Sequence, residues 1–125
     1  YSANDFDWSR QQGFRVVTAA ECWYKSLQPL MDELRHQFNE QPVYISFDID
    51  GIDPAFAPGT GTPEAGGLTS VQALEIIRGC SQLNIVGADL VEVSPPYDQS
   101  GNTALLAANL LYEMLCVLPG VKQMT

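Results

Sequence analysis

SFDIDGIDPAFAPGTGTPEAGGLT, residues 46–69, is the most informative segment of the sequence about the fold. Its first residues end a mostly apolar run, VYISFDID at residues 43–50, which follows Pro42. A short and nearly continuous apolar run of this kind is typical of a strand buried on both faces of a parallel sheet. Glycine and proline then recur too often at residues 51–67 for any helix or strand, so we predict a long ordered loop there.

The segments around this stretch alternate between strand and helix patterns. Strands are predicted at residues 14–19, 43–50 and 84–93, and helices at residues 26–38, 69–79 and 101–118. Thr69 and Gln72 have the spacing of a capping box, and Ser26 is placed to cap the helix before the second strand. This order of elements predicts an α/β fold in which helices cover a parallel sheet.

The composition is that of an ordinary globular protein. The 125 residues match the size of one domain, with 46% hydrophobic and 17% charged residues. Fifteen acidic residues against six basic ones give a net charge of -9, the wrong sign for a nucleic-acid groove. The most apolar stretch, residues 103–118, is shorter than the roughly 20 residues that cross a bilayer. We therefore expect neither a nucleic acid nor a membrane as a partner.

The three cysteines, Cys22, Cys80 and Cys116, lie far apart and show no CxxC spacing. This pattern argues against a disulfide framework and against a structural zinc site. We expect reduced, buried thiols and an intracellular compartment.

Carboxylates stand at the ends of two predicted strands, with Asp48 and Asp50 on one and Glu92 on the other. Ligands of parallel sheets bind beyond the carboxyl ends of the strands. Because residues two apart on a strand face the same side, Asp48 and Asp50 are expected to reach one point. Two carboxylates that close repel each other unless a cation lies between them. A backbone cap beside a solvated carboxylate fits the same two residues, and the pair alone does not choose between these readings.

Other protein families also use acidic pairs, and their motifs can be compared with DID at residues 48–50. A calcium-binding EF-hand loop that began at Asp48 would need glycine and glutamate where Asp53 and Gly59 stand. The GTGTP run lacks the Lys-Ser/Thr ending of a phosphate loop. A nucleotide-sugar transferase also holds its metal with a DxD motif, and DID alone leaves that class open.

The full run at residues 46–69 resembles the signature of the ureohydrolase family, which includes arginases and agmatinases. DLVEVSPPYD, residues 89–98, resembles a second block of that family, in a form closer to the agmatinase branch than to arginase. GFRVV at residues 13–17 and SGNTALLAANLLYEML at residues 100–115 are also similar to agmatinases, in particular the vertebrate mitochondrial kind. The resemblance implies an arginase-like, three-layer α/β/α fold with a parallel sheet. Residues 1–125 would be the C-terminal portion of its single domain.

The resemblance also implies a site. In the family two manganese ions, about 3.5 Å apart as in other two-metal sites, activate a water molecule that attacks the guanidinium carbon. Carried over by motif, Asp48 and Asp50 are expected to be metal ligands. Glu92 is expected to bind and orient the guanidinium group, and Thr62 to line the site beside it.

The implied function is manganese-dependent hydrolysis of agmatine to putrescine and urea by a full-length enzyme. 4-Guanidinobutyrate is the second substrate considered, and an inactive, truncated relative that acts by association is the other hypothesis. A trimer or hexamer in mitochondria, or otherwise in the cytoplasm, is also implied. The family draws a histidine ligand, an Asp/His/Asp cluster and a catalytic histidine from an earlier segment. None of these motifs occurs in the 125 residues, so the chain alone is expected to be inactive.

The remaining polar residues of these motifs are expected to have structural or solvent-exposed positions. Asp53 is expected to tie the loop or support the metal ligands, and Asp89 to need a partner on a buried strand. Glu64 and Asp98 are expected to be solvated loop carboxylates, and His36, the only histidine, to lie on a solvated helix face.

Overall fold

The structure, a computed structural model, describes residues 4–121. Along these residues run five α-helices and two β-strands: α1 (Asp7–Gln11), α2 (Ala19–Cys22), α3 (Gln28–Phe38), β1 (Pro42–Asp48), α4 (Ser70–Gly79), β2 (Asn84–Val91) and α5 (Asn102–Cys116). The two strands are parallel neighbours, and α4 lies between them in the chain. The predicted α/β class with a parallel sheet is therefore confirmed.

The register of the sheet brings the ends of both strands to the same edge. Pro42 pairs with Asn84 at one end and Asp48 pairs with Val91 at the other, with one irregularity between Val43 and Tyr44. Glu92 thus follows immediately after the residue that pairs with Asp48.

The core lies on one side of the sheet, where α3, α4 and α5 pack. Ile49, Ile52, Ile77 and Leu110 are fully buried there. Burial of one such aliphatic side chain stabilises the fold by about 1.5–3 kcal/mol. Half-buried residues of both strands, among them Ile45, Phe47, Ala88 and Leu90, pack against this cluster.

The opposite face of the sheet is open, so the prediction of a strand buried on both faces was wrong for β1. Its residues alternate between half-buried and exposed, and Tyr44 is 59% exposed. The physical reason is that α3, α4 and α5 all pack against the side of Ile45 and Phe47. Residues 4–121 therefore form two layers of the expected three.

The strand predicted at residues 14–19 is absent from the described chain. Residues 14–18 are irregular, and α2 begins at Ala19. The β-branched residues there have no neighbouring strand to pair with among the described residues. Glu21 instead accepts a hydrogen bond from the Thr18 N–H at 2.7 Å, which caps the start of α2.

The ends of the longer helices lie within two residues of the sequence-based expectations, with α5 ending at Cys116 rather than at residue 118. The capping box of Thr69 and Gln72 is confirmed at the start of α4. At the start of α3 the N-cap is Leu27 rather than Ser26, and its N–H donates to the carboxylate of Glu75 at 2.7 Å. A side chain of α4 therefore satisfies a backbone group of α3.

The three cysteines are free, as expected. Cys22 and Cys80 are buried, and Cys116 is half-buried near the end of α5. None of the helices in residues 4–121 is both long and apolar enough to cross a membrane.

Candidate functional site

The carboxyl edge of the sheet carries the predicted site residues. Asp48 is the last residue of β1, and Glu92 comes directly after β2. Neighbouring strands lie about 4.8 Å apart. The paired positions of Asp48 and Val91 therefore put the backbones of Asp48 and Glu92 beside each other at this edge.

Asp50 reaches this edge by a route that differs from the prediction. It lies in a 3₁₀ turn at Ile49–Gly51 and not on the strand, so the argument from strand alternation was wrong for this pair. The cause is local. The Asp50 N–H donates to Oδ1 of Asp48 at 2.9 Å, and an aspartate that accepts from the residue two positions on turns the chain.

The carboxylate of Asp50 has two different environments. Its Oδ2 accepts a hydrogen bond from the hydroxyl of Thr62. Its Oδ1 is buried and has no hydrogen-bond partner among the described residues. A buried carboxylate oxygen without a partner is unfavourable unless a cation or a donor meets it. Asp50 is therefore the residue of this edge best suited to a cation.

Glu92 has a left-handed backbone, with a φ of 67°. Residues other than glycine adopt this conformation infrequently, and it is common at functional sites, where the surroundings hold it. Here the hydroxyl of Thr60 donates to the Glu92 carbonyl at 2.9 Å, and the Ser94 N–H donates to the Gly59 carbonyl at 2.7 Å. This conformation also ends β2 at Val91, two residues earlier than predicted.

Asp53 ties the loop of residues 51–67 together, as expected. Its carboxylate accepts hydrogen bonds from the N–H groups of Ala55 and Gly66, each at 2.8 Å, and these bonds lower the pKa of Asp53. The two ends of the loop are joined by the Leu68 N–H to the Gly51 carbonyl at 2.9 Å, and by the Asp53 N–H to the Leu68 carbonyl at 2.9 Å. The loop is thus held by the Asp53 side chain together with backbone hydrogen bonds between its two ends.

Asp98 was expected to be a solvated carboxylate, and this prediction was wrong. It is only 8% exposed, and it accepts hydrogen bonds from the Ser100 hydroxyl and the Thr103 N–H, each at 2.6 Å. These bonds, with the one to Ser100 the largest cause, lower the pKa of Asp98 to about 2. Its position just before α5 explains the burial, because the first N–H groups of a helix need acceptors.

Thr103 connects α5 to the loop of residues 51–67. It is 1% exposed, and its Oγ1 accepts a hydrogen bond from the Gly59 N–H at 2.8 Å. Sequence reasoning missed Thr60, Asp98 and Thr103. An aspartate a few residues before a predicted helix was a usable signal for Asp98, whereas no local pattern marked the threonines.

Asp89 was expected to be buried on its strand, but it is half-buried on the open face of the sheet, although it has the expected partners. Asp89 has partners on β1, since it accepts hydrogen bonds from the hydroxyls of Tyr44 and Ser46 at 2.8 Å each. The bond to Asp89 raises the pKa of Tyr44. Glu64 and His36 are exposed.

The described residues do not by themselves enclose a metal or a substrate. Within residues 4–121 no group of three or more histidine, cysteine, aspartate or glutamate side chains could hold a metal ion. A groove of about 940 Å³ runs beside Trp23, Gly66 and Glu75, and its lining includes none of Asp48, Asp50, Thr62 and Glu92. What the structure brings together is thus one side of a candidate site: Asp50 contacts Asp48 and Thr62, and Glu92 follows the neighbouring strand β2.

Comparison with known proteins gives consistent matches. The model of the arginase family matches residues 1–116. The chain is 74% identical over 121 residues to a guanidinobutyrase of Pseudomonas aeruginosa, and the match covers 97% of the chain and 38% of that protein. It is 72% identical over 124 residues to the mitochondrial agmatinase of Gallus gallus, covering 99% of the chain and 36% of that protein.

A human relative and a solved structure extend these matches. The mitochondrial guanidino acid hydrolase of Homo sapiens is 71% identical over 116 residues, covering 93% of the chain and 33% of that protein. The structure of proclavaminate amidino hydrolase from Streptomyces clavuligerus superimposes with a TM-score of 0.84 at 45% identity, over 91% of the chain and 38% of that structure. The chain thus spans between 33% and 38% of the length of these proteins.

Proposed function

The chain belongs to the arginase family, and from that premise we propose that the complete protein hydrolyses a guanidino compound to urea and an amine. The observation that carries the proposal is the contact of one loop with both strand ends. Thr62 of this loop donates to Asp50 after β1, and Thr60 donates to the backbone of Glu92 after β2. A cation ligand and a carboxylate for a cationic substrate are thereby held at one edge.

Asp48 and Asp50 are the proposed ligands of two manganese ions. The buried Oδ1 of Asp50, without a hydrogen-bond partner in the described part of the chain, fits a metal ion. Hard carboxylate oxygens also suit manganese better than a softer metal. When bound, the ions supply an activated water near neutral pH. Since residues 4–121 hold no larger cluster of ligands, the others would come from elsewhere in the complete protein.

Glu92 is the proposed binding residue for the guanidinium group. In residues 4–121 its exposed carboxylate takes part in no ion pair, so it is available to a ligand. A carboxylate and a guanidinium group pair through two parallel N–H···O bonds, which fix the orientation as well as the position. With both terminal nitrogens held in this way, the nitrogen of the tail is free to leave.

The reaction that follows from this arrangement is a simple hydrolysis. The water oxygen forms a bond to the guanidinium carbon, and the bond from that carbon to the tail nitrogen breaks. The tail nitrogen takes up the two protons of the water and leaves as an ammonium group, so urea and a protonated amine are the products. Thr62, bonded to Asp50, is proposed to line the site beside the guanidinium.

The names of the relatives bear on which tail the substrate carries beyond its guanidino group. The P. aeruginosa guanidinobutyrase and the human guanidino acid hydrolase, at 74% and 71% identity, support a guanidino acid such as 4-guanidinobutyrate. The Gallus gallus agmatinase, at 72% identity, supports agmatine, which sequence analysis put first. Because two of these three relatives act on guanidino acids by name, we place 4-guanidinobutyrate first and agmatine second.

We also propose a cellular location and an assembly for the complete protein. Two vertebrate relatives named mitochondrial support a mitochondrial location, and the cytoplasm is the alternative. The chain is proposed to be the C-terminal portion of a single domain in a homo-oligomer. The open face of its sheet supports only the first part, that the chain is a portion of a larger domain, since three-layer folds cover both faces.

The experiment is a comparison of substrates with the complete protein. It is loaded with manganese, and urea release from 4-guanidinobutyrate, agmatine and arginine is measured. We expect the highest kcat/KM with 4-guanidinobutyrate. A higher kcat/KM with agmatine would make the protein an agmatinase. No urea from any of the three, with manganese bound, would contradict the proposal and favour the inactive relative.

A further inference from the structure

We propose that Thr60 is a positioning residue for Glu92: its hydroxyl holds the left-handed backbone that sets the Glu92 carboxylate at the carboxyl edge of the sheet. The inference rests on the proposed function of Glu92 as the guanidinium-binding residue. It assigns to the loop of residues 51–67 a second task beyond its contact with Asp50.

Glu92 has a backbone conformation that is unusual for a residue with a side chain. Its φ of 67° lies in the region that favours glycine. A side chain in that region persists only where the surrounding structure fixes the backbone. The direction in which the Glu92 side chain leaves the backbone depends on this φ.

A hydrogen bond from the loop of residues 51–67 fixes this backbone conformation. The Thr60 hydroxyl donates to the Glu92 carbonyl at 2.9 Å, and Thr60 is 3% exposed. The Ser94 N–H donates to the carbonyl of the neighbouring Gly59 at 2.7 Å. Residues 59 and 60 therefore hold the two peptide groups on either side of Val93, the first of which contains the Glu92 carbonyl.

Residues 59 and 60 are themselves anchored to the rest of the fold. The Gly59 N–H donates to the buried Oγ1 of Thr103 at 2.8 Å, which anchors the loop to α5. The hydroxyl of Thr62, two residues after Thr60, donates to Asp50. The two threonines of GTGTP thus contact the ends of different strands, and the loop sets the spacing between Asp50 and Glu92.

The test uses Thr60→Val and Thr60→Ser in the complete protein. Valine has the shape of threonine without the donor, and serine keeps the donor. Thr69→Val is the matched control, because it removes a threonine hydroxyl from the cap of α4 instead. Guanidinium chloride is the probe. Its inhibition constant is measured along with KM, kcat and manganese content.

We expect Thr60→Val to bind guanidinium about three- to tenfold more weakly, the size of one lost hydrogen bond, and to raise KM in parallel. Its manganese content should remain that of the wild type. Thr60→Ser should restore guanidinium affinity to within about twofold of the wild type, and Thr69→Val should lower thermal stability without weakening guanidinium binding. Unchanged affinity in Thr60→Val, or an equal loss in Thr69→Val, would overturn the inference.

A double-mutant cycle with Glu92→Gln tests whether Thr60 acts through Glu92. If it does, Thr60→Val adds no further loss of guanidinium affinity in the Glu92→Gln background. Additive losses would refute a role through Glu92. Should Thr60→Val fail to fold, Thr60→Cys, with a weak donor of similar volume, replaces it in the same comparisons.

The crystal structure of the folded variant gives the readout that is independent of activity. We expect the backbone of Glu92 to leave the left-handed region in Thr60→Val and its carboxylate to move. A φ that stays near the wild-type value would overturn the inference, whatever the enzyme does. A wild type that releases no urea would contradict only the proposed function, since the φ of Glu92 still decides the role of Thr60.

Discussion

Gly59→Ala in the complete protein is a stringent test of how the loop packs against α5. A methyl group at Gly59 would lie 2.7 Å from Cβ of Asp98 and 3.0 Å from both Cβ and Oγ1 of Thr103. Carbon atoms in contact are normally about 3.5–4.0 Å apart. The atoms it meets are next to the backbone of buried residues, so rotation of a side chain does not relieve the clash.

The expected change in the free energy of unfolding is the difference between two opposing effects. Overpacking of a well-filled region costs about 1–3 kcal/mol. Replacement of glycine by alanine returns about 0.4–1 kcal/mol through the unfolded chain, where the backbone tolerates it. We therefore expect Gly59→Ala to lower the free energy of unfolding by about 1–2 kcal/mol.

Gly61→Ala is the matched control, because a methyl group there meets no described atom within 4 Å. We expect it to be neutral or to raise stability by up to about 1 kcal/mol. Both variants are compared with the wild type by chemical and thermal unfolding at one protein concentration. Wild-type stability in Gly59→Ala, or an equal loss in Gly61→Ala, would refute the packing of the loop on Asp98 and Thr103.

Three further predictions concern charge, metal and the isolated chain. The pKa of Asp98 is about 2 in the folded protein against 3.8 ordinarily, so its charge stabilises the fold above pH 3.8 and the stabilisation is lost as the pH falls towards 2. Asp98→Asn should thus be less stable than the wild type at pH 7. Urea unfolding at several pH values should show the difference in free energy of unfolding between the two proteins shrinking below pH 3.8. A difference that stays constant with pH would contradict this prediction. Asp48→Ala and Asp50→Ala should each abolish manganese-dependent urea release, measured with metal content, and activity in either variant would exclude that residue as a ligand. Residues 1–125 alone should bind manganese weakly and release no urea, whereas addition of the upstream segment should restore activity if the chain is a piece of an enzyme; turnover by the isolated chain would show that it needs no further ligands.

Sequence reasoning was successful where local chemistry decides the structure. The apolar runs of β1 and β2, the capping box of Thr69 and the loop dense in glycine and proline were all recognisable. The family was also recognisable from the long run at residues 46–69, and the family match confirms it.

The wrong predictions have two causes: contacts distant in sequence, and local hydrogen bonds that the pattern of apolar and polar residues does not reveal. A β-branched run at residues 14–18 forms a strand only beside another strand, while the nearby Thr18–Glu21 spacing was a local sign of a helix start. Asp50 left the strand because Asp48 bonds to its N–H, and sequence alternation does not reveal such a bond. The carbonyl of Glu92, whose backbone is left-handed, accepts a hydrogen bond from Thr60, 32 residues earlier. Asp98 was misjudged because its partners belong to the start of α5.

A comparison of metal content with urea release in Glu92→Gln separates the proposed role of Glu92 from that of the metal ligands. The substitution keeps the size of the side chain and removes only the charge proposed to pair with the guanidinium group. We therefore expect the complete Glu92→Gln protein to bind as much manganese as the wild type and to lose urea release from guanidino substrates. Full urea release by Glu92→Gln, with manganese bound, would contradict the assignment of the site.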